Sequence, residues 1–232
     1  MSKQAICIMG HKGAKQLNVL LHLLDHPQID IYLHLDSKSS INPYKDIEQP
    51  RFSKLVFVKR HDTRWGDISQ IETEMELFRA VTASGVEYEY IHLISGQDLP
   101  VKGIDYILSY FERTENKGKE FISFEDQASE IRRIKYYWLC TKHMRQGFVY
   151  KLIRHGALAA QKLIGINRLK NLPLGYKKGS NWVSLTCNAV NYLVESWPKY
   201  ARYFSKTVCA DELYKQMILS GGGRMSSLQK AI

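Results

Sequence analysis

The chain has no run of eighteen or more apolar residues, and its opening MSKQAICIMGHKG leads into a strand-like segment rather than a long apolar signal region. A bilayer-spanning helix needs about twenty such residues, so none is expected and a cytoplasmic location is the simplest expectation. Cysteine is scarce: Cys7, Cys140, Cys187 and Cys209 lie far apart with no CxxC pair. That spacing suggests neither a zinc site nor a disulfide framework, and each thiol is expected to be a small buried hydrophobe. The glycines form neither GxGxxG nor a Walker A loop, so the usual phosphate cradles are missing. Acidic residues are missing altogether from 131–178, where twelve Lys and Arg stand. That segment carries +12 of the net +10, leaving 21 basic against 23 acidic residues elsewhere. The basicity therefore belongs to one region and suggests an anionic partner there: an acidic acceptor, a phosphate group, a membrane surface or nucleic acid. Nucleic acid is the least expected, because Tyr136, Tyr137 and Trp138 are clustered instead of spread along a recognition motif.

What is present fits one domain, since 232 residues can bury a proper core and 44% hydrophobic with 24% charged residues is ordinary for a globular protein. Ala5–Met9 reads as a strand closed by Gly10-His11-Lys12-Gly13, Leu17, Leu20, Leu21 and Leu24 mark a helical face, and Ile29–Leu35 is a second strand ending in Asp36-Ser37-Lys38. This predicts a βαβ crossover of a parallel sheet. Lys54–Val58 supplies a third strand. The stretch Trp65–Lys102 then organises the rest: Ile68, Ile71, Met75, Phe78 and Val81 share one helical face, Tyr90–Ile94 is a strand, and Ser95-Gly96-Gln97-Asp98 is a polar loop at its end. Open α/β sheets place ligands at the carboxyl ends of parallel strands, so the site is expected around that loop.

Ile104, Ile107, Leu108 and Phe111 predict another helix and Glu120–Phe124 a fifth strand, which together argue for an α/β layered fold. In Gly147–Ile166, Val149, Ile153, Ala160 and Ile164 can face one way and Lys151, Arg154 and Lys162 another. Such a helix either lies on a membrane surface or packs on the sheet with its basic face solvated. Val183–Thr186 reads as a strand. A helix marked by Val190, Leu193, Val194 and Trp197 is expected to stop at Pro198. Another is expected to open at Cys209-Ala210-Asp211-Glu212 and run to about Leu219, with both carboxylates in its first turn, before a Gly- and Ser-rich tail, 220–232, expected to be poorly ordered.

The blocks HKG…LLHLLDHP…YLHLDSKS, RWGDIS…ETEMELFRA, YIHLISGQDLPVK, KKGSNWVSLT and ADELYKQMIL, in that order, resemble the core-2/I-branching β-1,6-N-acetylglucosaminyltransferases, a family that also includes the peptide O-xylosyltransferases. The resemblance implies a GT-A-like fold, with 1–219 as one glycosyltransferase domain: a nucleotide-binding half at 1–124 and an acceptor and catalytic half at 125–219. It implies inverting transfer from a UDP-sugar, most simply UDP-N-acetylglucosamine, to a glycan hydroxyl without a metal ion or other cofactor. No clear DxD motif is present to hold a divalent cation. On the donor side the resemblance places His11, Asp36 with Lys38 beside it, Trp65, Gly66, Ser95, Gln97 and Asp98. On the acceptor side it places Arg132, Arg133, Lys135, Gly179, Ser180, Trp182 and Asp211, the last as a supporting residue. Glu212 matches the catalytic carboxylate. The implied acceptor is a glycan, acidic or lipid-linked if the basic segment contacts it or an inner membrane surface. In such families the chain continues and its basic residues bind the UDP diphosphate, while here Arg224 is the only basic residue between Lys215 and Lys230. The alternative expectation is therefore a truncated, inactive relative that binds UDP-sugar or glycan.

Overall fold

A computed structural model describes residues 2–125 and 128–221. Its elements run β1 (Lys3–Gly10), α1 (Ala14–Leu23), β2 (Ile29–Leu35), β3 (Lys54–Phe57), α2 (Ser69–Thr82), β4 (Tyr88–Ser95), α3 (Ile104–Glu112), α4 (Arg132–Lys135), α5 (Phe148–Leu163), β5 (Val183–Thr186), α6 (Cys187–Phe204) and α7 (Tyr214–Gly221). The strands form one sheet in the order β3-β2-β1-β4-β5, parallel except for β5. Every residue of β2, IDIYLHL, is buried, as expected of a parallel strand covered on both faces. One face is closed by Leu17, Leu20 and Leu21 of α1 and Leu108 of α3. The other is closed by Ile71, Met75 and Phe78 of α2 with Val190, Leu193 and Phe204 of α6 and Met217 of α7. This is the α/β arrangement expected of a GT-A-like fold.

Chain direction along the sheet reverses at β1, which has β2 on one side and β4 on the other. The carboxyl ends of β1 and β4 meet there: Gly96 N–H donates to Met9 C=O at 2.9 Å, and a Cβ on Gly96 would stand 3.0 Å from Gly10 Cα. Such a switch point leaves a crevice between diverging connections.

Several sequence expectations need correction. Glu120–Phe124 forms no strand; Phe121 and Glu125 make isolated bridges to Ser184 and Lys178. Side chains take the intervening partners, because Glu120 accepts from Thr186 N–H and Ser123 Oγ accepts from Ser180 N–H. Helix α6 does not stop at Pro198. A proline inside a helix costs about 3 kcal/mol, and burial of Tyr200 and Phe204 beyond it offsets that cost. Asp211 and Glu212 lie in a 3₁₀ turn, Ala210–Glu212, ahead of α7 rather than in an α-helical first turn. Cys140 and Cys187 are partly exposed, unlike Cys7 and Cys209. Of the basic residues of α5, Lys151 and Lys162 are exposed as expected, but Arg154 points inward, and most of the helix's apolar side chains point out instead of packing on the sheet. Ser220 and Gly221 end α7, and the remainder of the tail lies outside the described residues.

Candidate functional site

At the switch point the structure opens a cleft of about 560 Å³. Its floor is the end of β1, Met9 to His11; one wall carries His34, Asp36 and Lys38 after β2, and another Trp65 and Gln70 at the start of α2. Ser95, Trp182 and the segment Lys142–Gln146 complete it. Of the donor-side residues, His11, Asp36, Lys38, Trp65 and Ser95 line the cleft, whereas Gly66, Gln97 and Asp98 do not. Gln97 and Asp98 instead fasten the loop. Gln97 C=O accepts from Gln16 Nε2 at 2.7 Å, and an Asp98 carboxylate oxygen accepts from Ser95 N–H at 2.8 Å.

Asp36 is buried, and its carboxylate accepts from Lys38 N–H at 2.8 Å and Lys38 Nζ at 3.0 Å. Lys38 Nζ also meets Asp62 and donates to Thr63 C=O at 2.8 Å. That lysine is thus spent on orienting the loop. The neighbouring Arg64 is likewise paired with Asp62 at 2.8 Å. His34 accepts His61 N–H at Nε2, 2.9 Å away, and burial with His61 beside it holds its pKa down to about 4. It faces the cleft neutral.

Lys142 and Arg145 are different. They line the cleft without an ion pair among the described residues, and the Arg145 guanidinium lies over the Trp65 ring at 4.6 Å. In the sequence they stand only as two of the twelve basic residues of the acid-free segment, which is the signal for them, and not as individual site residues.

Glu212 is not among the cleft-lining residues; its sequence neighbour Asp211 is the one that reaches the cleft residue Gln70. Glu212 Oε2 accepts from Arg133 Nη1 at 2.6 Å, with Lys178 Nζ at 3.6 Å. Arg133 in turn pairs with Glu130 and Lys178 with Glu125. The backbone fixes the carboxylate's position: Gly179 N–H donates to Glu212 C=O at 3.0 Å, and a Cβ on Gly179 would fall 1.9 Å from Ser123 C=O. Only glycine fits there. Ser180 is held by Ser123 and by Gln216 of α7, whose Nε2 donates to Ser180 C=O at 2.8 Å. Of the acceptor-side set, Trp182 alone lines the cleft; Arg132 is exposed, and Lys135 lies over the Tyr136 ring at 5.5 Å.

Asp211 connects the two parts. It is buried, one carboxylate oxygen accepts from the cleft residue Gln70 at 3.1 Å, and the other has no partner. Burial, with Glu74 adding repulsion, raises its pKa from 3.8 to about 7. Gln70 also accepts Gly66 N–H, while Gly66 C=O takes Cys209 N–H at 3.1 Å. Gly66 itself has φ +76, and a Cβ there would press on Met144 and Val208 at 3.4 Å. Beneath Asp211, Lys215 Nζ is fully buried between Glu74 at 2.6 Å and Asn181 Oδ1 at 2.6 Å. Among the described residues no three His, Cys, Asp or Glu side chains are grouped to hold a metal ion. The family model described as Branch, Core-2/I-Branching enzyme, matches residues 5–229. No curated protein matches the chain.

Proposed function

The chain belongs to the core-2/I-branching enzyme family and is a glycosyltransferase, and from that premise we propose that it moves N-acetylglucosamine, or a related sugar, from UDP to a glycan hydroxyl with inversion. The observation that carries this reading is the carboxylate of Glu212, held by Gly179 on the backbone and by Arg133 on one oxygen, while the neighbouring Glu130 and Glu125 are paired with Arg133 and Lys178. Inversion needs one base; double displacement would need a second carboxylate about 5 Å from the first. Arg133 and Lys178 both approach Oε2, which leaves Oε1 to take the acceptor's proton. As that proton moves to Glu212, the acceptor oxygen forms a bond to the anomeric carbon, and the bond to the phosphate oxygen breaks with its electron pair leaving on UDP.

Asp36 orients the uridine end, with Lys38 holding its loop. Lys142 and Arg145 face the diphosphate and balance the charge that develops on the leaving group. In this reading they stand in for a divalent cation, and the reaction needs no metal. Trp182 and the Trp65 face border the donor sugar. A titration with UDP, with and without EDTA, followed by UDP release from UDP-N-acetylglucosamine, UDP-xylose, UDP-glucose and UDP-galactose, tests all of it. Binding unaffected by EDTA with turnover of one donor is the expected result. UDP binding with no turnover of any donor would assign a binding role instead.

A further inference from the structure

Helix α5 is built inside out. At 100° per residue, Tyr150, Arg154, Ala157 and Gln161 fall on one face, and this is the face that meets the protein. Its attachments are polar. Arg154 donates to the carbonyls of His143 and Met144 at 3.2 and 3.3 Å, Gln161 pairs with both backbone groups of Tyr137 at 2.7 and 2.8 Å, and Tyr150 stacks on His143 at 4.2 Å. Arg154 is 7% exposed, whereas Phe148 is 78%, Leu152 61% and Leu163 88% exposed. Val149 and Ile153 are also exposed, and the exposed Ala159 and Ala160 lie between them and Leu163, so an apolar face runs the length of the helix into solvent. Scattered exposed apolar residues mean little, but a contiguous face marks an interaction site.

Charge decides what covers that face. Lys151, His155 and Lys162, three exposed residues spaced as one helical row, border it along one edge, and neither lysine has an ion pair among the described residues. The surrounding 131–178 contains no acidic residue at all. An apolar stripe edged by unopposed cations is complementary to a bilayer surface whose headgroups are anionic and whose interior is hydrocarbon. A second copy of the chain would bring the same positive edge and be repelled.

We propose that α5 is an interfacial helix that seats this enzyme on an anionic lipid surface, with Phe148, Leu152 and Leu163 in the acyl region and Lys151 and Lys162 at headgroup level. No helix of the described residues is long and apolar enough to cross a membrane, so the contact is in the plane of the surface. The helix is clipped by Arg154 and Tyr150 to the turn at His143 and Met144, the same segment that supplies Lys142 and Arg145 to the cleft. Docking therefore brings the segment that supplies Lys142 and Arg145 to the cleft close to the lipid surface, and the surface assignment stands whichever donor the enzyme uses.

Co-flotation of the full chain with phosphatidylcholine vesicles, with and without phosphatidylglycerol, tests the proposal. Binding is expected to the anionic vesicles at low salt and to fall steeply as salt rises. Lys151→Glu with Lys162→Glu, and separately Phe148→Ser with Leu152→Ser, should each cut partitioning at least ~10-fold while thermal unfolding and UDP binding stay unchanged, since all four side chains are exposed. Wild-type chain that fails to float with anionic vesicles at low salt would overturn the assignment. So would either folded variant floating as well as wild type, or light scattering that shows a dimer converted to monomer by Phe148→Ser with Leu152→Ser.

Discussion

Glu212 and Asp211 are neighbours with opposite circumstances. Glu212 is part-exposed and paired with Arg133, which holds its carboxylate in place; Asp211 is buried, with one oxygen unpartnered and Glu74 close by. Glu212→Gln removes the proposed base and keeps the shape. It should cost about 10²–10⁴-fold in turnover and leave UDP affinity within a factor of about two, measured by UDP release and by calorimetric titration; full activity would remove Glu212 from the mechanism. For Asp211 the consequence is thermodynamic. Its pKa rises from 3.8 unfolded to about 7 folded, so between those values the folded chain holds more protons than the unfolded one and stability falls as pH rises. Below the window the penalty is gone, and above it the penalty is complete and constant. Asp211→Asn should therefore gain on wild type by on the order of 1 kcal/mol per pH unit across that window and no further beyond it, as read from urea unfolding at several pH values. An equal offset at every pH would show that Asp211 is ionised throughout.

At the scale of elements, the site depends on the packing of two connections. The segment 178–182 and the 3₁₀ turn before α7 are joined by Gly179 N–H to Glu212 C=O and pressed onto Ser123. Gly179→Ala puts a methyl where Ser123 C=O already sits, so the segment must move. Overpacking of this kind costs about 1–3 kcal/mol, and here it also displaces Glu212, the proposed general base. A lower melting temperature together with a fall in kcat of at least ~10-fold is expected, since small misplacement of a reacting group is costly. A variant that melts early but turns over normally would detach Gly179 from the site. The parallel strands and amphipathic helices were legible in the sequence because their signal is periodic: Leu17, Leu20 and Leu21, or Ile71, Met75 and Phe78, repeat at helical steps and face the same core. Glu120–Phe124 was not, because a strand-like composition does not reveal that side chains of Glu120 and Ser123 take over the pairing. Pro198 misled for a related reason: the local cost of a proline is written in the sequence, whereas the burial beyond it is a tertiary gain. In α5 the apolar stripe was legible, but which face meets the protein was set by Arg154 finding two distant carbonyls.

For the whole molecule, the distribution of charge is the feature with the longest reach. The acid-free segment could be read as an anion-binding region from composition, but only the folded chain shows that its cations divide between two places, with Lys142 and Arg145 on the cleft and Lys151 and Lys162 exposed on α5. The one lysine or arginine that the resemblance placed on the donor side, Lys38, is consumed by Asp36 and Asp62, which no local pattern could have shown. This division makes the two proposed functions separable. A hydrogen bond to a charged group contributes about 1.5–3 kcal/mol, so Lys142→Ala and Arg145→Ala should each weaken UDP binding by roughly 10- to 100-fold and flatten its dependence on salt. Uridine, which has no phosphate, should bind wild type and both variants alike. Lys151→Glu with Lys162→Glu should leave UDP affinity untouched, because those side chains lie outside the cleft. The comparison of UDP with uridine across these variants decides the matter: equal losses for both ligands would mean that Lys142 and Arg145 only support the cleft wall, and losses confined to UDP would assign them to the diphosphate.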